Sequence, residues 1–180
     1  MSTAAAPVVE RPAADEHAPY YSKYIDLVPE GDVVEYLDRQ AQEAVTLLRG
    51  VPVHLHDHRY GEGKWSVKEV IGHLADAERI FSYRALRISR GDATPLASFD
   101  ENAYVPGGEF GVREHESLVE ELLNVRRATL SHLRSLTPDQ ARRRGVASGH
   151  DVTVRAIAYI IAGHVDHHLR ILRERYLGQS

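Results

Sequence analysis

The sequence contains no cysteine. Disulfides, thiolate nucleophiles, Cys-ligated zinc and iron–sulfur clusters are therefore excluded, and any thiol chemistry has to import its thiol. It also lacks an excess of positive charge. Lys and Arg number 22 against 26 Asp and Glu, a net charge of −4, which is the wrong sign for a general polyanion binder, so nucleic acid is not an expected partner. The apolar runs fall far short of the roughly 20 residues needed to cross a bilayer, and no membrane association is expected. Met1 to His17 has neither a basic n-region nor a continuous apolar stretch, so it does not read as a secretory signal and a cytoplasmic protein is expected. The common catalytic motifs are missing too. Gly61-Glu62-Gly63-Lys64-Trp65-Ser66 lacks the glycine spacing and preceding strand of a phosphate loop, and neither Gly-x-Ser-x-Gly nor His-Glu-x-x-His occurs. Arg142-Arg143-Arg144 is a short basic run in an acidic chain and reads as a solvated face.

What is present is a chain of 180 residues, 43% hydrophobic and 27% charged, which suits one compact domain. Eleven histidines are an excess, and without cysteine they are where metal or acid–base chemistry would be built. Residues 1–19, rich in Ala and Pro, offer too little apolar surface to offset the entropy of ordering them, which predicts a flexible tail ahead of a domain over residues 20–180.

Four long segments carry helical periodicity and no stretch reads as paired strands, so the expected class is all-α. The first helix is predicted over about Asp32 to Leu48, and the second over about Val67 to Arg90, opened by the Ser66/Glu69 capping box and closed at Gly91. A long crossover follows to about Val112, with one helical turn near Asp100 to Tyr104. The third helix is predicted over about Arg113 to Leu136. A capped turn then starts at Thr137-Pro138, and the fourth helix runs from after Thr153 to about Leu177, closed by Gly178. Four amphipathic helices with one long crossover between helices two and three predict a four-helix bundle, whose cofactor sites are built from inward-facing side chains.

At about 100° per residue, Ile157, Ile161, Val165 and Leu172 form the apolar stripe of the fourth helix. His164 and His168 fall within it, His167 at its edge, and Asp166 points away. Imidazoles four residues apart stack one turn above another and can share one ion, although buried histidines are equally satisfied by a carbonyl or carboxylate. On the second helix His73 flanks the stripe through Val70, Ile71, Leu74 and Phe81. If the two helices pack together, His73, His164 and His168 supply three neutral ligands and leave coordination positions open. Glu78 lies about 50° from the centre of its stripe. It has two readings, a catalytic base or imidazole partner beside the metal, or an interhelical ion pair with an arginine. Asp76 is peripheral and takes no catalytic role.

Two segments resemble the DinB-like superfamily. One is Gly63-Lys64-Trp65-Ser66-Val67-Lys68-Glu69-Val70-Ile71-Gly72-His73-Leu74-Ala75-Asp76-Ala77-Glu78-Arg79, and the other is His164-Val165-Asp166-His167-His168-Leu169. The likeness spans about Val33 to Tyr176. It implies a divalent metal ion, zinc or nickel foremost, ligated at His73, His164 and His168, none of which is substituted. It also implies metal-dependent hydrolysis, or transfer using a low-molecular-weight thiol such as bacillithiol or mycothiol, on a small-molecule substrate. A homodimer is a further implication. The rival expectation is a nonenzymatic dimeric bundle that binds small ligands or serves in stress, its histidines merely satisfying core polarity.

The remaining motifs have bland readings. His54-Leu55-His56-Asp57-His58 alternates as an extended segment would, three imidazoles on one side, in an exposed loop. Trp65 reads as a hydrophobic staple beside the Ser66 cap. Tyr83, Tyr104 and Tyr159 are read as packing residues or as the wall of a pocket.

Overall fold

The computed structural model describes residues 9–179. Three of the four long helices start where the sequence supplies a side-chain cap. Asp32 accepts from the Val34 N–H at 2.8 Å and opens α2 (Val33–Arg49). The reciprocal Ser66/Glu69 box opens α3 (Val67–Ser89), and Thr153 accepts from the Ala156 N–H at the head of α7 (Val154–Ile171). The helix α5 (His115–Arg134) completes the set. Around the bundle, α2 and α3 each lie between α5 and α7, so helices consecutive along the chain, α2 and α3, sit diagonally opposite. Short elements fill the connections: α1 (Ser22–Ile25), α4 (Glu101–Gly107) and α6 (Pro138–Arg142). Among the described residues no helix is long and apolar enough to cross a membrane.

The all-α expectation needs one correction. Arg144–Ala147 (β1) and His150–Thr153 (β2) form an antiparallel hairpin, and Leu96 of the crossover bonds to its edge at Val146 O and Ser148 N. Ser148 and Gly149 both have positive φ, 54° and 77°, the backbone that a two-residue type I′ turn demands. The Ser-Gly dipeptide was the available signal, but strands of four residues are too short for alternation to stand out.

A second correction concerns the N-terminal segment. From Val9 onward it is packed: Val9 is fully buried in the core and Glu16 is 4% exposed. Arg11 donates to Ile25 O and pairs with Glu30. Glu16 accepts from Thr153 Oγ1 and Arg155 Nε, both at 2.7 Å. Arg142 and Arg144 reach Glu10 and Asp15, so the basic run serves to tie this strap down. The acids among residues 9–19 find their cations more than a hundred positions away, a source of order that local composition does not reveal. Residues 1–8 of the expected tail lie outside the described residues.

The end of α7 relaxes into a wider π turn, Leu172–Tyr176, before Gly178 at φ +62°. That turn carries Tyr176, whose hydroxyl donates to Trp65 O at 2.5 Å. A closer approach occurs at Gly163, where an added Cβ would lie 1.9 Å from Tyr24 O. The backbone of α1 therefore rests directly on α7 beside His164.

Gly163→Ala is expected to destabilise the fold by about 1–3 kcal/mol, because α1 must lift from α7; urea unfolding midpoints measure it. Burial alone would raise the Glu16 carboxyl, but its bonds to Arg155, Thr153 and the Ala13 N–H outweigh that and hold it at about 2. Its folded value being depressed, its contribution is present above about pH 4.5 and disappears as pH falls toward 2. Glu16→Gln should lower stability at neutral pH and flatten the acid limb of a stability-versus-pH curve relative to wild type.

Candidate metal centre

Three imidazoles meet across the α3–α7 interface. His73 comes from the second turn of α3, and His164 and His168 stand one turn apart on α7. Their ligand nitrogens all lie within 4.8 Å of one another, and His73 Nε2 is 3.0 Å from His164 Nε2. Two nitrogens bound to one tetrahedral zinc stand about 3.3 Å apart, so the cluster fits a shared ion after small side-chain rotations. His73 and His164 are buried and His168 is half-buried. Burial pushes the His73 imidazole down to about 4. Burial also holds His164 and His168 well below the ordinary range, and the neighbouring rings add to it. At neutral pH all three are uncharged and keep a lone pair for a cation.

The local sequence explains this convergence. Each of the two most buried ligands follows a glycine that lets another element come close. Gly72 faces Phe110, which would lie 2.3 Å from an added Cβ, as Gly163 faces Tyr24. Aromatic rings then enclose the cluster. Trp65 lies 4.6 Å from the His73 ring and nearly parallel to His168 at 6.4 Å. Tyr24 stands edge-on to His164 at 5.5 Å, and Phe81 lies 6.0 Å from the same ring. His168 is the ligand that opens outward, onto a cleft of about 210 Å³ whose wall includes Tyr60, Lys64, Trp65, Asn102 and Tyr176.

Other residues fall differently from expectation. Glu78 does not join the imidazoles. Its two carboxylate oxygens accept from Arg126 Nε and Nη2 at 2.8 and 2.9 Å, with both side chains at most 4% exposed. The auxiliary metal-side role is corrected to the interhelical ion pair. Asp166 does not point away: it accepts from Tyr36 Oη at 2.8 Å and Gln40 Nε2 at 2.7 Å, which anchors α7 to α2. Asp76 stays peripheral beside Arg79, and His167 sits at the edge against Tyr24. His54, His56 and His58 do not line one side of a strand, since Val53–Leu55 is a 3-10 turn and His56 stacks on His115 at 3.7 Å. Tyr159 is a core residue, while Tyr83 and Tyr104 are half-exposed on a separate cleft. Sequence reasoning missed the enclosing role of Trp65 and of Tyr24. For Trp65 the signal was its place one residue before the cap of the helix that carries His73.

The fold and the site together define a helical bundle with a three-histidine centre. The sequence matches the DinB superfamily over residues 36–172, and the chain belongs to that superfamily. No protein of curated function matches it in sequence. Among solved structures it is similar to YfiT from Bacillus subtilis, described as "a probable metal-dependent hydrolase with an unusual four-helix bundle topology". The TM-score is 0.70 at 20% identity, with 95% of each chain covered. It is also similar to a mycothiol-dependent maleylpyruvate isomerase, with a TM-score of 0.64 at 16% identity over 81% of this chain and 61% of the other. At these identities the likeness is one of fold.

Removing the Glu78 carboxylate leaves Arg126 charged and buried without its acid. Glu78→Ala is expected to lower stability by about 3–5 kcal/mol, read by chemical denaturation. If the residue is structural, metal binding by the folded fraction stays near the wild-type level.

Proposed function

We propose that this protein is a metal-dependent enzyme acting on a small molecule, with one divalent ion, zinc or nickel, held by His73, His164 and His168. The observation that carries this reading is the convergence of three neutral imidazoles with one of them opening on a cleft. Buried histidines that merely satisfy core polarity would be expected to find carbonyls or carboxylates; here His73 and His164 have each other as neighbours, and no carboxylate joins the cluster among the described residues. A bound divalent ion would supply Lewis acidity for hydrolysis or for activating a low-molecular-weight thiol, the two chemistries open to a chain without cysteine. The chain's own groups shape the rest. His73 and His164 would hold the ion from the buried side, and His168 from the side that borders the cleft. Trp65, held by Tyr176, keeps water from the His73 face. Lys64 and Asn102 stand at the cleft wall, where a polar substrate or cosubstrate would be oriented. The three-nitrogen donor set suits zinc and nickel over the oxygen-seeking magnesium and calcium. The homodimer and the cytoplasmic setting implied by the superfamily belong to the same reading.

Protein stripped of metal and re-equilibrated with zinc or nickel is expected to retain about one ion per chain by elemental analysis after gel filtration. His168→Ala should abolish retention while the far-ultraviolet dichroism stays unchanged, and His56→Ala should leave retention intact. Equal metal content in wild type and His168→Ala would overturn the assignment, as would wild-type protein that holds none and keeps the His73–His164 pair as a dry hydrogen bond.

A further inference from the structure

Among the described residues two arginines are buried, and only one of them forms an ion pair with an acid. Arg126 is 3% exposed and clasped by Glu78; Arg84 is equally buried. No carboxylate forms an ion pair with Arg84 among the described residues. Its Nη2 donates to Ala97 O at 2.7 Å and to Ser148 Oγ at 3.0 Å. The Tyr21 phenol is a further partner, whose interaction favours the charged guanidinium without being a carboxylate. Asp151 shares a small cavity with Arg84 but is exposed and makes no ion pair with it. The guanidinium carbon lies between two rings, 5.8 Å from the Phe81 centroid and 5.9 Å from that of Phe99. A buried cation is costly unless a counter-charge faces it, and a guanidinium has five N–H donors in a planar fork matched to a carboxylate.

On the Phe99 side Arg84 borders a cleft of about 320 Å³ between α3 and the 94–99 segment, at the small end of ligand-binding cavities. Ile80, Leu96 and Phe99 give it an apolar wall, and the half-exposed Tyr83 and Tyr104 rings flank it. Arg87 also borders it but already has Asp92 and the Tyr83 hydroxyl as partners. The cleft is therefore bordered by one positive charge that has no ion-pair partner among the described residues, beside apolar and aromatic walls.

We propose that this cleft binds a small organic monocarboxylate with an apolar or aromatic body, its carboxylate paired with Arg84. A single charge is balanced by a monoanion, whereas a phosphate dianion would leave an excess negative charge among the rings. The site is separate from the three-histidine centre and does not rest on the metal reading: its wall shares no residue with the cleft that opens on His168.

The test is titration of the isotope-labelled full-length protein with 3-phenylpropionate, in excess EDTA, followed by nuclear magnetic resonance. Saturable shifts are expected at the amides of Ala97, Phe99 and Tyr104, and the neutral 3-phenylpropanamide should bind at least tenfold more weakly, because it cannot pair with the guanidinium. Arg84→Met should lose the binding. Should that variant unfold, Arg84→Lys keeps the charge but not the fork and should weaken binding, and Ser98→Trp should block the cleft from its exposed rim while leaving Arg84 in place. Equal binding of acid and amide would overturn the proposal, as would unchanged affinity in the folded variants. Shifts centred on Trp65 and His168, or no saturable binding to wild type, would also overturn it. The metal assignment would be untouched in each case.

Discussion

One guanidinium links the four long helices. Arg126 of α5 is paired with Glu78 of α3 and donates through Nη1 to Leu37 O and Gln40 Oε1 of α2. Gln40 in turn donates to Ala162 O and Asp166 of α7. Every group in this network is hydrogen-bonded, which is the condition for burying charge without severe loss of stability. Its position matters as much as its strength. Glu78 lies five residues beyond His73, Ala162 two before His164, and Asp166 midway between His164 and His168. The network thus ties α3 to α7 through α5 and α2 at the level where the three imidazoles meet, and it shares the register of the helices with the packing around it. A slip of one residue on either helix would rotate its ligands by about 100° and disperse them.

Around that register, small residues bring the enclosing elements close. Gly72 and Gly163 precede the two most buried ligands, and each admits a neighbour that any side chain would hold off. The resulting shell of Tyr24, Trp65 and Phe81 keeps water from His73 and His164, which favours their uncharged form. The same lack of solvation would strengthen any interaction with a bound cation.

Apolar periodicity, with the capping box at Ser66/Glu69, made the long helices legible, and the side-chain caps at Asp32 and Thr153 lie close to the starts it gave. The helical wheel also placed His164 and His168 inward correctly. It failed for Asp166 because a wheel assumes one buried stripe, whereas α7 packs against α2 as well as α3, and Asp166 lies on the side that meets Tyr36 and Gln40 of α2. Glu78 was legible as inward-facing, but periodicity carries no information about a partner 48 residues away. The strap from Val9 was illegible for a related reason. Its order comes from Arg144 and Arg155 rather than from its own composition. The hairpin failed on length, its one strong signal being Ser148-Gly149.

Membership of the DinB superfamily and the likeness of fold to YfiT agree with this arrangement, but the chemistry rests on whether the imidazoles share an ion. The most direct measurement is the zinc K-edge X-ray absorption spectrum of the stoichiometrically loaded protein. Three nitrogen donors at about 2.0–2.1 Å, with the multiple-scattering pattern of three imidazoles, is the predicted result. A first shell of oxygen donors with one imidazole or none would contradict it.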